Sequence, residues 1–151
     1  MIDTVKNEDV KVILMHNLGV PANKNEVICN TLDPVKFVYE WFEKRILELE
    51  KCGIERERVI IDPGIGFGKT SVQSLKIIKS INKYKKLKTE IMIGHSRKSF
   101  LTLFTEKKAE ERDLETFIFS EYLARHKVDY IRVHNVEGNL RAIKLSHHLN
   151  N

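Results

Sequence analysis

The sequence predicts an α/β chain built on a parallel sheet, and three observations predict it. Short apolar runs and longer segments with helical spacing alternate four times along the 151 residues. The strand-like runs are apolar almost throughout rather than at every second position, as burial on both faces demands. Glycines and prolines fall almost entirely between the elements. An open doubly wound sheet and an arc of a closed barrel both fit this pattern.

The first strand is predicted at residues 10–15, VKVILM, and it runs out into His16-Asn17-Leu18-Gly19. Asp33-Pro34 opens a helix in the favoured order of cap, then first-turn proline. Val38, Trp41, Phe42, Ile46 and Leu49 recur at helical spacing until Cys52-Gly53 stops it. Residues 59–61 form the second strand, and residues 71–84 the second helix, with Val72, Leu75, Ile78 and Ile81 on one face. Residues 91–93 form the third strand. It ends in Gly94-His95-Ser96-Arg97-Lys98-Ser99, followed by a short apolar turn and a helix over residues 113–126. A fourth strand spans residues 130–134, and residues 138–148 form the last helix.

Composition sets the limits. An apolar content of 42% is that of an ordinary globular domain with a real core, and a net charge of +5 leans toward anionic ligands. Most lysines lie on solvated helix faces, with no aromatic-interleaved basic patch, so nucleic acid is not the expected partner. Cys29 and Cys52 match no metal or redox spacing and read as reduced thiols. Neither a membrane-length apolar run nor a leader-like amino terminus is present. The cytoplasm is the expected location.

RVIIDPGIGFGKT, residues 58–70, looks like a phosphate loop. A Walker A loop needs a glycine five positions before the glycine of its Gly-Lys pair; here that position is Pro63, which has no N–H. The dinucleotide fingerprint fails because its third glycine falls on Lys69. What remains is an acid, Asp62, at the carboxyl end of a buried strand, where α/β folds hold ligands. Asp62 serves either that purpose or the capping of a turn, and Lys69 is either a phosphate contact or a solvated loop lysine.

Every predicted strand delivers polar side chains at its carboxyl end: His16 and Asn17, Asp62, Ser96 to Ser99, then Arg132 and His134. That is expected of a barrel whose site is assembled from βα loops. Arg132 and His134 alternate with Ile131 and Val133, so they share a face. Two such groups together call for an anion, phosphate being the natural one; the competing reading pairs Arg132 with Asp129 or Glu137. Lys98 adds a cation, and Ser99 opens a helical turn that suits a carboxylate or phosphate.

Asp62-Pro-Gly-Ile-Gly-Phe-Gly-Lys69, Gly94-His-Ser-Arg-Lys-Ser99 and Arg132-Val-His134, in that order, closely resemble the dihydropteroate synthases of the pterin-binding barrel family. Leu14-Met15-His16 is similar to that family's preceding strand end. The resemblance covers essentially the whole chain, residues 1–151, but only the carboxyl-terminal half of the family's domain. It implies a partial (β/α)8 TIM barrel whose four β–α units correspond to strands 5–8. The implied reaction is condensation of dihydropterin pyrophosphate with p-aminobenzoate, releasing pyrophosphate.

By position, the resemblance implies that Asp62 bonds the pterin's amino-pyrimidine edge and that Met15 packs on the pterin. Lys98 would contact the pterin and the leaving group, and Arg132 and His134 would bind pyrophosphate; these three are the expected catalytic residues. Gly66 and Phe67 would lie against the substrates, with Phe67 and Arg97 walling the p-aminobenzoate pocket and Ser99 holding its carboxylate. Two departures stand out. Asn135 follows His134 where the family commonly has Asp, which bears on how the imidazole is oriented, and Lys127 stands where a small residue is usual.

No metal ligand is expected among these residues: the magnesium that the family implies would be held by the absent amino-terminal half. The remaining expectations are a fragment inactive by itself, a complementary half-barrel as partner, and a homodimer through helices of this half. The alternatives are a non-catalytic half-barrel that binds pterin or a partner chain, and a methylfolate methyltransferase, which would need no pyrophosphate site.

Overall fold

The computed structural model describes residues 2–19, 23 and 25–149. Four strands, β1 (Val12–Met15), β2 (Val59–Asp62), β3 (Glu90–Ile93) and β4 (Tyr130–Ile131), form one sheet in the order β1-β2-β3-β4, every neighbouring pair parallel. Helix α1 (Ile2–Asn7) precedes β1. Between the strands run α2 (Pro34–Lys51), α3 (Ser71–Lys79) and α4 (Asp113–Arg125), and α5 (Val136–Leu149) follows β4. Sequence order and spatial order coincide, as a succession of right-handed β–α crossovers requires.

One sheet face is the core. Val59, Ile61, Ile91 and Ile93 are at most 1% exposed and pack with Val38, Phe42, Ile46, Ile77, Ile78 and Tyr84 from the covering helices. Each such side chain contributes about 1.5–3 kcal/mol by leaving water. The other face carries Ile13, Ile60, Met92 and Tyr130, by the pairing of Ile13 with Ile60 and Met92 with Tyr130. Ile13 is 51% exposed there and Tyr130 37%.

The four predicted β–α units are all present, α1 is an additional helix ahead of them, and the other differences have local causes. Asp33 caps α2 by accepting from the Val35 N–H, 3.1 Å. The second helix ends at Lys79 rather than residue 84. A 3-10 segment, Ile81–Leu87, replaces its last turns, because Ile81, Tyr84 and Leu87 repeat every third residue and all three are buried. The buried face of α3 is also rotated from the predicted one. Val72 is exposed, while Gln73, Ser74, Ile77 and Ile78 point inward. Gln73 anchors that rotation, closing a capping box with Thr70 and donating to the Ile28 carbonyl, 2.7 Å. Lys127 lies at φ 53, a left-handed turn into β4 that costs a residue with a Cβ about 1 kcal/mol and that only glycine would relieve fully.

Strand β4 is shorter than predicted. Arg132 adds one more ladder bond, its N–H to the Ile93 carbonyl at 2.9 Å, and the chain then leaves the sheet. Continuing the register of Ile93 against Ile131 sets Gly94 beside Arg132 and Ser96 beside His134.

Candidate active site

Residues 62 to 70 fold into a tight loop at the carboxyl end of β2. Asp62 caps it, Oδ1 accepting from the Gly64 N–H at 2.8 Å. Gly64 adopts φ 65 directly against β1, where a Cβ would lie 2.0 Å from the His16 carbonyl oxygen, so no other residue fits without moving the backbone. Lys69 is neither a phosphate contact nor a solvated lysine. It is 6% exposed, and its ammonium reaches inward to His16 Nδ1 (2.9 Å) and the carbonyls of Gly64 (3.1 Å) and Phe67 (2.8 Å). Burial pushes its pKa down to about 7, helped by the charge of Lys98 and opposed by Asp62.

Asp62 therefore caps a turn and keeps its second oxygen for other work. The Arg132 guanidinium stands 3.4 Å from Oδ2, long for a hydrogen bond but close enough for an ion pair. Burial raises the Asp62 pKa, while the Gly64 N–H and the charges of Arg132, Lys98 and Lys69 pull it back. Met15 pairs with Asp62 across the strands and so shares its face; its Cγ lies 3.5 Å from the place of a Gly64 Cβ.

Lys98 links the loops after β2 and β3. Its ammonium donates to the Ile65 carbonyl and sits 4.4 Å from the centroid of the Phe67 ring, with its side chain running past Gly66. Burial lowers its pKa to about 8, and Asp62 and Arg132 act on it in opposite directions. Ser99 is exposed at the start of the 3-10 segment Ser99–Leu103, its carbonyl 3.4 Å from the Ser71 hydroxyl at the start of α3. Phe67 and Lys98 thus come together across the two loops, with Ser99 next to Lys98 in the chain and exposed.

Arg97 is more constrained than expected. Its backbone lies at φ 57, and its guanidinium forms a two-pronged ion pair with Asp113, 2.7 and 3.0 Å, at the start of α4. Its N–H donates to Thr116 Oγ1, 3.1 Å. Such contacts hold a strained residue where it would not otherwise stay.

At the β4 end, Arg132 does not pair with Asp129 or Glu137. Asp129 Oδ2 instead accepts the Ile91 N–H, 2.8 Å. Arg132 lies across Gly94, where a Cβ would come within 2.8 Å of Nη2. His134 Nδ1 is 2.8 Å from Ser96 Oγ. Asn135 does not orient that ring: its amide donates to Asp113 Oδ2 (3.2 Å), and its Oδ1 accepts from Gly138 N (2.9 Å) at the start of α5. Gly94, Ser96, Lys98, Arg132, Val133 and His134 line a cavity of about 300 Å³.

Three of those six residues carry cationic or protonatable groups, a lining whose chemistry suits an anion. Gly94 and Ser96 stood in a quoted motif without partners, and Asp113 was not given a site role. The register brings Gly94 to Arg132 and Ser96 to His134, residues 38 apart, and the placement of α4 brings Asp113 to Arg97 and Asn135. Among the described residues no group of three or more His, Cys, Asp or Glu is placed to hold a metal ion. Asp62, with one oxygen on Gly64 and cations around the other, does not fit a divalent cation.

Comparison with known proteins agrees with this geometry. Residues 1–134 match the family described as pterin binding enzyme. The chain is 37% identical over 145 residues to the folate synthesis bifunctional protein of Chlamydia muridarum, covering 95% of this chain and 32% of that protein. It is 32% identical over 141 residues to dihydropteroate synthase type-3 of Escherichia coli, covering 91% of this chain and 54% of that one. It therefore spans about a third to a half of the length of these curated relatives. Among solved structures, dihydropteroate synthase from Anaplasma phagocytophilum with bound 6-hydroxymethylpterin-monophosphate superposes with a TM-score of 0.92 at 36% identity, over 99% of this chain and 59% of that one. The Xanthomonas albilineans enzyme with 4-aminobenzoic acid gives 0.87 at 26% identity, over 99% and 52%. With strand order, loop geometry and sequence in agreement, the chain belongs to the pterin-binding enzyme family.

Proposed function

We propose that these residues form the pyrophosphate-facing half of a dihydropteroate synthase, joining a dihydropterin pyrophosphate to p-aminobenzoate. The observation that carries the reading is the cavity walled by Lys98, Arg132 and His134 beside the buried Asp62. The amine of p-aminobenzoate attacks the pterin's methylene carbon, the bond from that carbon to the pyrophosphate oxygen breaks, and the amine loses a proton. Negative charge accumulates on the departing pyrophosphate, so cations already in place lower the barrier and no protein nucleophile is needed. Asp62 Oδ2 accepts from the pterin's amino-pyrimidine edge, with Met15 against the ring. Phe67 and Ser99 receive p-aminobenzoate, and Arg97 braces that wall through Asp113. Methyl transfer from a folate would leave the cationic cavity without a task.

Magnesium belongs to the proposal only as a charge-neutralising partner of pyrophosphate, its protein ligand lying outside these residues. Completion by a further half-barrel is supported by the exposed Ile13 and Tyr130 on the open sheet face, and a homodimer by the exposed Leu114 and Ile118 of α4 and Leu140 and Leu145 of α5. A cytoplasmic location is supported by the free thiols of Cys29 and Cys52; no helix among the described residues is long and apolar enough to cross a membrane.

The test is to assay pyrophosphate release and dihydropteroate formation by this polypeptide, alone and mixed with the amino-terminal half of a homologue. Turnover on mixing, abolished by Arg132→Ala, is expected. Turnover by the polypeptide alone would refute the need for a second half. Failure of any mixture to turn over, with the polypeptide folded and unable to bind pyrophosphate, would refute the synthase reading.

A further inference from the structure

His134 is exposed, three residues beyond a strand only two residues long, and nothing in its own segment fixes its ring. The neighbouring strand does. Ser96, 5% exposed, stands opposite His134 by continuation of the β3–β4 register. Its Oγ lies 2.8 Å from His134 Nδ1 and 3.2 Å from the His134 backbone nitrogen.

A serine hydroxyl has one hydrogen to give and two lone pairs to accept with. The backbone N–H of His134 can only donate, so it occupies one lone pair. When the imidazole is neutral, an unprotonated Nδ1 accepts the hydroxyl hydrogen, whereas an Nδ1–H tautomer would take the second lone pair and leave that hydrogen without another acceptor among the described residues. When the imidazole is charged, Nδ1–H donates into the second lone pair. Both states keep Nδ1 on Ser96 and leave the proton on Nε2.

We propose that Ser96 is the positioning residue for His134, holding the ring so that Nε2–H is the group offered to a bound anion in either charge state. The opposite tautomer would present the Nε2 lone pair, which repels an oxyanion. The other groups near the ring have different tasks. Asn135 is held by Asp113 and Gly138, Asp113 is paired with Arg97, and Lys98 and Arg132 contribute their own charges to the cavity. The identity of the anion rests on the proposed function; the tautomer is a property of the chain.

The experiment is nitrogen NMR of the polypeptide carrying ¹⁵N-labelled histidine, with the His134 signals assigned by their loss in His134→Gln. It is run near pH 8.5, about two units above the usual imidazole pKa, where an ordinary ring is neutral. The parent is expected to show a protonated Nε2 and an unprotonated Nδ1. Ser96→Ala should mix or invert the two forms, and Ser96→Thr, which keeps a hydroxyl, should restore them. Pyrophosphate affinity by calorimetry should fall about tenfold in Ser96→Ala, as for loss of one hydrogen bond in the site, and recover in Ser96→Thr.

A parent protonated on Nδ1 would overturn the assignment, as would a folded Ser96→Ala that keeps both the parental tautomer and the parental affinity. The parent's tautomer decides the matter even if Ser96→Ala does not fold. If the tautomers behave as expected while the parent fails to bind pyrophosphate, the synthase reading falls and the orientation of His134 by Ser96 stands.

Discussion

Mild acid should destabilise this fold well before its carboxylates are protonated, and two histidines set the size of the effect. His16 and His95 are both 0% exposed. His16 lies edge-on to Trp41 and Phe37, at 5.0 and 5.9 Å, with its Nδ1 on Lys69. Burial, reinforced by the Lys69 charge, lowers its pKa to about 3. Burial lowers that of His95 to about 4, with Nε2 against Ser120 Oγ and the Thr116 carbonyl. Unfolded imidazoles titrate near 6.5, so below about that pH the unfolded chain binds protons that the native chain refuses, and stability falls with pH. From about pH 7.5 to about pH 5 each histidine costs about 2 kcal/mol, about 4 together, a large share of a typical total of 5–15. The lowered pKa of Lys69, about 7, adds a loss of about 1 kcal/mol over the same window, the raised pKa of Asp62 acts with the opposite sign, and the lowered pKa values of Asp33, Glu50 and Asp113 cost stability only at lower pH. Urea unfolding followed by circular dichroism across this window checks the figure at constant m-value. His16→Gln should remove about two-fifths of the pH dependence. A parent whose stability does not change over the window, or a His16→Gln variant with the parental slope, would refute the reasoning.

Three further outcomes are expected at the strand ends. Arg132→Ala should weaken pyrophosphate binding by about 1–3 kcal/mol through loss of a charge-assisted contact, and unchanged affinity by calorimetry on folded protein would remove Arg132 from the anion site. Asp62→Asn keeps an oxygen for the Gly64 N–H but can place an N–H where the pterin offers its own, so the variant should fold and lose pterin affinity by about tenfold or more. Parental pterin binding would leave Asp62 as a turn cap alone. Gly94→Ala puts a methyl group 2.8 Å from Arg132 Nη2 and 3.1 Å from Nε, so the guanidinium must move. A flexible side chain gives way at little cost, so the unfolding midpoint should hold while pyrophosphate affinity falls; parental affinity would show that the placement of Arg132 across Gly94 is immaterial.

The alternation of β and α elements was legible because continuous apolar runs such as Val59-Ile60-Ile61 and capped helices such as the one opened by Asp33-Pro34 carry their own signals. The break after Lys79 was not, because the spacing of Ile78, Ile81 and Tyr84 also fits an α-helix, and packing under the sheet decided between the two. At the site, the types and order of Asp62, Lys98, Arg132 and His134 pointed to anion chemistry, but their partners did not show. Ser96 meets His134, Gly94 admits Arg132, and Asp113 holds both Arg97 and Asn135 only once register and helix placement are known. Asn135 is instructive: next to His134 in sequence, it caps the helix that follows it and donates to Asp113 of α4.

The glycine loop that resembles a phosphate cradle shows how this site divides its labour. In a cradle, successive backbone N–H groups and a lysine all face the anion. Here the N–H of Gly64 goes to Asp62, that of Gly66 to Ser74 Oγ and that of Phe67 to the Gly64 carbonyl, while Lys69 turns inward. A loop with these three N–H groups and its lysine engaged internally is not a successive row of donors facing a phosphate. It can hold the Ile65 carbonyl and the Phe67 ring rigidly against Lys98. The cationic and protonatable groups that line the cavity come from the ends of β3 and β4, while the buried acid facing Arg132 comes from β2 and the apolar Met15 from β1. Under the proposed reaction a pterin pyrophosphate would lie in one direction across such a sheet, its ring toward Met15 and Asp62 at the ends of β1 and β2, its leaving group toward Arg132 and His134, and Lys98 between them.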